Sequence, residues 1–263
     1  MFEYIKSVLN DEGILRVGMI DIADCDIINE RILPNGINSA VIFIIPYRSQ
    51  TEIANDGFSE YARVYDYHTF CKHLYGRILD KLSENSGYKF YGFCDHSPVN
   101  EKLAAAKCGL GVIGRNSLFI DETYGSYVFI GSILTDAKNA QTTHEISFCE
   151  DCGKCIAECP NSAIIEKGID RFKCLSGISQ KKSKTTEEKE LLKAHNIVWG
   201  CDICQNVCPH NKSAKISPIP YFKETRIPKI DKEFVLSLSD DDFKKYAFAY
   251  KGRKLVLDNI DFI

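Results

Sequence analysis

Eight cysteines lie between positions 149 and 208, and their spacing constrains the chain more than any other feature. The run CEDCGKCIAECP holds Cys149, Cys152, Cys155 and Cys159, with Pro160 behind the last. A second run, GCDICQNVCPHN, holds Cys201, Cys204 and Cys208 and again ends in Cys-Pro. A zinc site takes four ligands, usually as two Cys-x-x-Cys pairs with a spacer between them. The continuous triple Cys149, Cys152, Cys155 instead packs three thiolates around one small object. Cys159 stands where bacterial ferredoxins send their fourth cysteine to the other cluster. The second run lacks one member, and Cys174 is the remaining cysteine nearby that can supply it. Cluster one then takes Cys149, Cys152, Cys155 and Cys208; cluster two takes Cys159, Cys174, Cys201 and Cys204. Both are read as [4Fe–4S] sites, in preference to two zinc sites, and the chemistry implied is electron transfer.

Such a module needs only part of 263 residues, so the chain has room for a large domain beside it. With 44% hydrophobic residues it can bury a substantial core. Its net charge of −3 argues against a surface that attracts nucleic acid everywhere, though not against a local basic patch. The opening MFEYIKSVLNDEG has no basic region followed by an apolar one, and AVIFII at 40–45 is too short to span a bilayer. The expectation is a soluble, cytoplasmic protein without membrane contact, in which thiols bind metal rather than form disulfides. Cys25, Cys71 and Cys108 read as small buried hydrophobes, while Cys94 borders a polar stretch. Between Cys174 and Cys201, TTEEKELLKAHN reads as a helix capped by Thr185 or Thr186, with Glu187 or Glu188 in its first turn. Lys181, Lys182 and Lys184 precede it, as a solvated surface or as a contact for phosphate.

The N-terminal part alternates between strand and helix signals. ILRVGMIDI, NSAVIFIIPY, YKFYGF and GSYVFIGSILT read as strands. The stretch from Ser59 to Asn85 reads as one long helix with Ser59 as N-cap, and VNEKLAAAKCG as another. The fold class expected is mixed α+β/α/β: a layered N-terminal domain followed by a bacterial ferredoxin-like module. GLGVIG at 109–114 matches G-x-G-x-x-G, but a helix precedes it and the strand-like SLFI follows, the reverse of a dinucleotide site. In FCDHSPVNEKLA, Asp95 comes straight off a strand and is a candidate catalytic acid; alternatively it caps the next helix, for which Ser97 serves at least as well.

Five stretches in order, SEYARVYDYH, DHSPVNEKLAAAKCGLGVIGRNSLFI, GSYVFIGSILTD, CEDCGKCIAECP and GCDICQNVCPHN, resemble the epoxyqueuosine reductase family over most of residues 59–211. The resemblance implies a cobalamin-reductase-like first domain and reduction of the epoxide of epoxyqueuosine, at the wobble position of tRNA, to queuosine. It implies two [4Fe–4S] clusters and a cobalamin without a lower protein ligand. DYHTFC agrees, since it begins like an axial-histidine D-x-H-x-x-G run but holds Cys71 at the glycine position. By similarity Asp95 is the catalytic acid, and the corrinoid touches Asp95, Asn116, Phe119, Ser176, Cys201 and Asp202. The partners implied are tRNA or a queuosine-precursor fragment and a low-potential electron donor, with the chain itself a monomer.

The chain also departs from the family pattern. Ser132 stands where members usually carry glutamate, His210 where they carry tryptophan, and the sequence stops at Ile263, short of the usual helical repeats. The organisation expected is a corrinoid and substrate domain at 1–145, the double-cluster module at 146–215 and a helical tail at 216–263. Two alternatives remain open: a related corrinoid iron–sulfur reductase for another small substrate, such as an organohalide, and a non-catalytic electron-transfer protein.

Overall fold

The computed structural model describes residues 1–138, 143–166 and 168–263. Its first part runs α1 (Phe2–Asp11), β1 (Val17–Asp21), β2 (Ser39–Pro46), α2 (Tyr67–Ser86), β3 (Phe90–Cys94), α3 (Glu101–Lys107), β4 (Gly111–Ile113), β5 (Phe119–Asp121) and β6 (Val128–Thr135). The main sheet has the order β1-β2-β6-β3, and each pairing is antiparallel. This puts the first part on the α+β side of the mixed class.

Side chains along a strand alternate between faces. Val41, Phe43 and Ile45 of β2 therefore join Ile5 and Leu9 of α1 and Leu74, Ile78 and Leu82 of α2 in one core. Ala40, Ile42 and Ile44 face the other way, against Ala104, Ala105 and Ala106 of α3. Because both faces are covered, SAVIFIIP is apolar almost throughout and every residue in it is buried. The G-x-G-x-x-G stretch supplies the first strand of the β4–β5 hairpin. A β-carbon on Gly111 would lie 2.2 Å from the Ile120 carbonyl oxygen, so only glycine permits that approach.

The long helix expected from Ser59 is broken. Residues Glu60–Arg63 form a 3-10 turn, and α2 starts only after Asp66, whose carboxylate accepts from the His68 amide. The cause is non-local. Asp202 takes both the Ser59 hydroxyl and, at 2.6 Å, the Glu60 amide, while buried Arg63 is drawn to Asp56. Neither Asp95 nor Ser97 caps α3; Asn100 does, accepting from the Leu103 amide at 3.3 Å.

The cysteine-rich part is built of short pieces: α4 (Lys154–Ala157), the β7 (Ile164–Ile165) and β8 (Gly168–Ile169) pair, α5 (Leu175–Ser179), α6 (Thr186–Ala194) and α7 (Ile203–Asn206). Thr185 and Glu188 form a complete capping box on α6. The basic edge before it is largely engaged. Lys181 pairs with Glu188, and Lys184 donates to the Lys181 carbonyl at 2.7 Å. Burial lowers the Lys184 pKa to about 8.

Four helices follow: α8 (Pro220–Glu224), α9 (Lys232–Ser237), α10 (Asp240–Phe243) and α11 (Arg253–Phe262). They are packed into the rest of the chain rather than set apart. Ile227, Val235, Phe248 and Val256 share a core with Phe58, Ala62, Val198 and Trp199. The buried Asn259 amide donates to the carbonyls of Ser179 and Val198, each at 2.8 Å. Among the described residues no helix is long and apolar enough to cross a membrane.

Candidate active site

The eight thiols fall into two neighbourhoods. Cys149, Cys152, Cys155 and Cys208 line one cavity together with Gly114, Arg115 and Asn116. Burial pushes the Cys155 and Cys208 thiols up, and in both cases Cys149 and Cys152 add to the effect. Burial likewise pushes Cys201 and Cys204 up to about 12, with contributions from Cys174 to both, Cys159 to Cys201, and Cys201 to Cys204. Backbone amides aim at the sulfurs: Arg115 donates to Cys149 at 3.3 Å and Ala163 to Cys159 at 3.2 Å. Soft thiolate sets with N–H···S bonds suit iron–sulfur clusters. Iron binding at these thiols would have to displace the protons that burial otherwise holds on them. Among the described residues no three His, Cys, Asp or Glu side chains are gathered closely enough to share a single metal ion.

Asp95 sits on a strained turn. Its φ is 60°, in the left-handed region, and the next amide, His96, donates back to the Cys94 carbonyl at 2.7 Å. Left-handed non-glycine residues and tight three-residue turns of this kind concentrate at functional sites. The turn swings the Asp95 carboxylate outward, where the Tyr67 hydroxyl donates to it and His68 Nε2 lies 3.5 Å away. His68 Nδ1 is in turn 2.7 Å from Asp66. The Asp95 side chain is 62% exposed, so the surrounding protein raises its pKa only by screening part of the solvent, and the Asp66 carboxylate raises it further. Such an environment favours the protonated acid.

An aromatic strip joins this corner to the cysteine-rich part. Tyr67 stacks on Phe129 with centroids 3.8 Å apart, and Phe129 meets Tyr47 at 4.6 Å. The Tyr47 hydroxyl accepts from Gln205 at 3.2 Å, on the helix between Cys204 and Cys208. Nearby, a cleft of about 270 Å³ is lined by Gly57, Phe58, Ser59, Asn196, Cys201 and Asp202, among others.

The remaining residues singled out by similarity are dispersed. Asn116 is buried and donates to the Cys204 carbonyl at 3.4 Å. Phe119 lies inside the second core, and Ser176 accepts from Gln180 at 3.4 Å. Cys201 and Asp202 line the cleft, while Asp95 lies at the far end of the aromatic strip. Burial raises the Asp202 pKa, with the Ser59 and Glu60 hydrogen bonds opposing it. Sequence reasoning passed over Asp66, Tyr67 and His68 as partners of Asp95. The polar triplet at the start of α2 was the available signal.

Fold and site together define a double-cluster iron–sulfur reductase. The model of a 4Fe-4S double cluster binding domain matches residues 148–211. An epoxyqueuosine reductase from Francisella cf. novicida is 32% identical over 256 residues, covering 86% of this chain and 69% of the relative. The chain belongs to the epoxyqueuosine reductase family. Curated relatives are matched over between 43% and 80% of their own length. A solved epoxyqueuosine reductase bound to an epoxyqueuosine-modified tRNA-Tyr stem loop shares the fold over 99% of this chain and 78% of its own, at TM-score 0.80 and 22% identity. A reductive dehalogenase structure, described as bearing on B12-dependent dehalogenation, covers 97% of this chain and 37% of its own, at TM-score 0.54 and 17% identity.

Proposed function

We propose that this chain reduces the epoxide of epoxyqueuosine in tRNA to queuosine, with Asp95 as the proton donor. The observation that carries the reading is the placement of Asp95: a carboxyl with a raised pKa on a left-handed turn, joined by the Tyr67–Phe129–Tyr47 strip to the cysteine-rich part. Family membership and the stem-loop complex of the related enzyme support tRNA as the substrate.

Cys149, Cys152, Cys155 and Cys208 hold one [4Fe–4S] cluster, and Cys159, Cys174, Cys201 and Cys204 hold the other. Their amide-to-sulfur bonds and close thiol neighbourhoods fit that role. The cleft beside Cys201 and Asp202 would seat one edge of a bound corrinoid next to the second thiol quartet. Cobalamin, when bound, supplies the low-valent cobalt that delivers electrons to the epoxide. Cys201 and Asp202, which line that cleft, would hold it, and Asp95 would present its acid to the substrate. Asn116, Phe119 and Ser176 lie outside the cleft lining, and only the family resemblance assigns them to its surroundings. A low-potential donor feeds the clusters, and the chain acts as a monomer.

Reductive opening of an epoxide consumes electrons and protons in equal number. An oxygen leaving carbon must not leave as a bare anion, so an acid has to meet it. Asp95 holds that proton where burial and Asp66 disfavour ionisation. The Tyr67 hydroxyl, free to donate to the carboxylate, then stabilises the charge left on Asp95 once the proton has gone.

The test is anaerobic incubation of reconstituted protein with cobalamin, a low-potential reductant and epoxyqueuosine-containing tRNA, followed by nucleoside mass spectrometry. Conversion to queuosine is expected. Its absence from protein carrying both clusters and cobalamin would refute the substrate assignment and favour another small substrate.

A further inference from the structure

Glu101 opens α3 six residues after Asp95 and belongs to none of the groups discussed so far. Its carboxylate grips two elements. Oε2 accepts from the Asp95 backbone amide at 3.1 Å, and Oε1 accepts from the Ser132 hydroxyl at 2.7 Å. Ser132 lies fully buried in the middle of β6, and its hydroxyl is 3.2 Å from that of buried Ser97 on the far side of the same turn. Asp95 is thus held from both sides. Tyr67 and His68 meet its carboxylate outside, and Glu101 ties its amide inside.

We propose that Glu101 is the positioning residue for Asp95, holding the left-handed turn in place by binding the Asp95 amide and the Ser132 hydroxyl at once. A left-handed aspartate relaxes to ordinary backbone geometry unless its surroundings over-determine it. Here the Glu101 bond and the His96-to-Cys94 bond supply that constraint. Relaxation would carry the carboxyl off Tyr67. The inference rests on Asp95 being the proton donor, as proposed above.

The grip depends on pH. Asp95 faces Glu101 from the turn, Cys94 from β3, and Tyr75 from α2. Cys71 of α2 and Asp66 lie behind Cys94, and Lys102 on α3 itself is occupied by the Ser117 carbonyl at 2.9 Å. No cation offsets the Glu101 charge among these groups. Burial first, and then the Asp95 charge, push the Glu101 pKa up to about 7, against the hydrogen bonds from the Ser132 hydroxyl and the Asp95 amide, which both favour the carboxylate. The sign follows from linkage. The turn itself contributes the Asp95 charge, which raises the Glu101 pKa, and the Asp95 amide bond, which lowers it less, so closure of the turn is favoured at low pH. That preference is lost as pH rises through about 7, when two adjacent carboxylates both carry charge.

The test is hydrogen–deuterium exchange at the Asp95 amide in the cluster-loaded protein between pH 5.5 and 8.5, corrected for the intrinsic base-catalysed rate. Wild type should show a drop in protection near pH 7. Glu101→Gln retains an acceptor but cannot ionise, so protection should persist without that drop. Glu101→Ala should exchange at least about tenfold faster. Ser132→Ala, which leaves α3 untouched, should fall in between and guards against misreading a variant that folds poorly. Equal protection in wild type and Glu101→Ala, or a pH step that survives in Glu101→Gln, would overturn the proposal. Turnover is a second readout: Glu101→Ala should lower kcat with KM unchanged, and Glu101→Gln should flatten the pH profile near 7. Loss of protection in a protein that never reduces epoxyqueuosine would count against the substrate while leaving the positioning role standing.

Discussion

At the scale of single residues, the site depends on how the charge left on Asp95 is accommodated. The Tyr67 hydroxyl donates to that carboxylate and so favours its ionised form, opposing burial and Asp66. Tyr67→Phe removes the donor and keeps the stack on Phe129. Asp95 should then keep its proton to higher pH. Because a general acid works protonated, the alkaline limb of the kcat profile should move upward. A downward shift would contradict the assignment of the hydroxyl as donor. Asp95 itself was legible in the sequence, since it stands directly after an apolar strand run and ahead of Pro98. Its partners were not. Tyr67 and His68 open another helix, well away in sequence, and Glu101 looks like an ordinary first-turn acid until Ser132 and the strained turn are seen against it.

At the scale of elements, local chemistry was readable and non-local competition was not. The Thr185–Glu188 capping box on α6 needs only neighbouring residues, and the sequence shows it directly. Thr185→Ala should cost about 1 kcal/mol. The loss should appear as faster amide exchange confined to residues 186–194, with iron content unchanged. Exchange spreading into the cysteine runs would show that α6 braces the clusters. The segment after Ser59 misleads for the opposite reason. Its helical spacing is genuine, yet Asp202, far along the chain, captures Ser59 and the Glu60 amide and ends the helix before it starts. Periodicity carries no trace of such a contact. The strand NSAVIFIIPY read correctly because burial on both faces demands apolar residues whatever its neighbours are.

At the scale of the whole molecule, the third core ties the first part, the Val198–Trp199 segment just ahead of Cys201 and the last helices together. The Trp199 side chain is fully buried, and its indole N–H donates to the Tyr61 hydroxyl at 3.0 Å. It stands two residues before Cys201. Trp199→Ala should cost about 3–5 kcal/mol. Denaturant melts should show the loss, and the Cys201-containing quartet should release iron before the other. Simultaneous release from both would mean that the core supports them equally. The cysteine spacing made the module visible in sequence, but its attachment through Trp199 and Asn259 appears only in three dimensions.

The most direct measurement compares wild type with Asp95→Asn in single turnover on epoxyqueuosine-containing tRNA, with iron and cobalamin content determined on the same samples. Asparagine is nearly isosteric and cannot donate an acidic proton. The account predicts queuosine formation slowed by about 100- to 10,000-fold with cofactor content unchanged. Equal rates in the two proteins would contradict it.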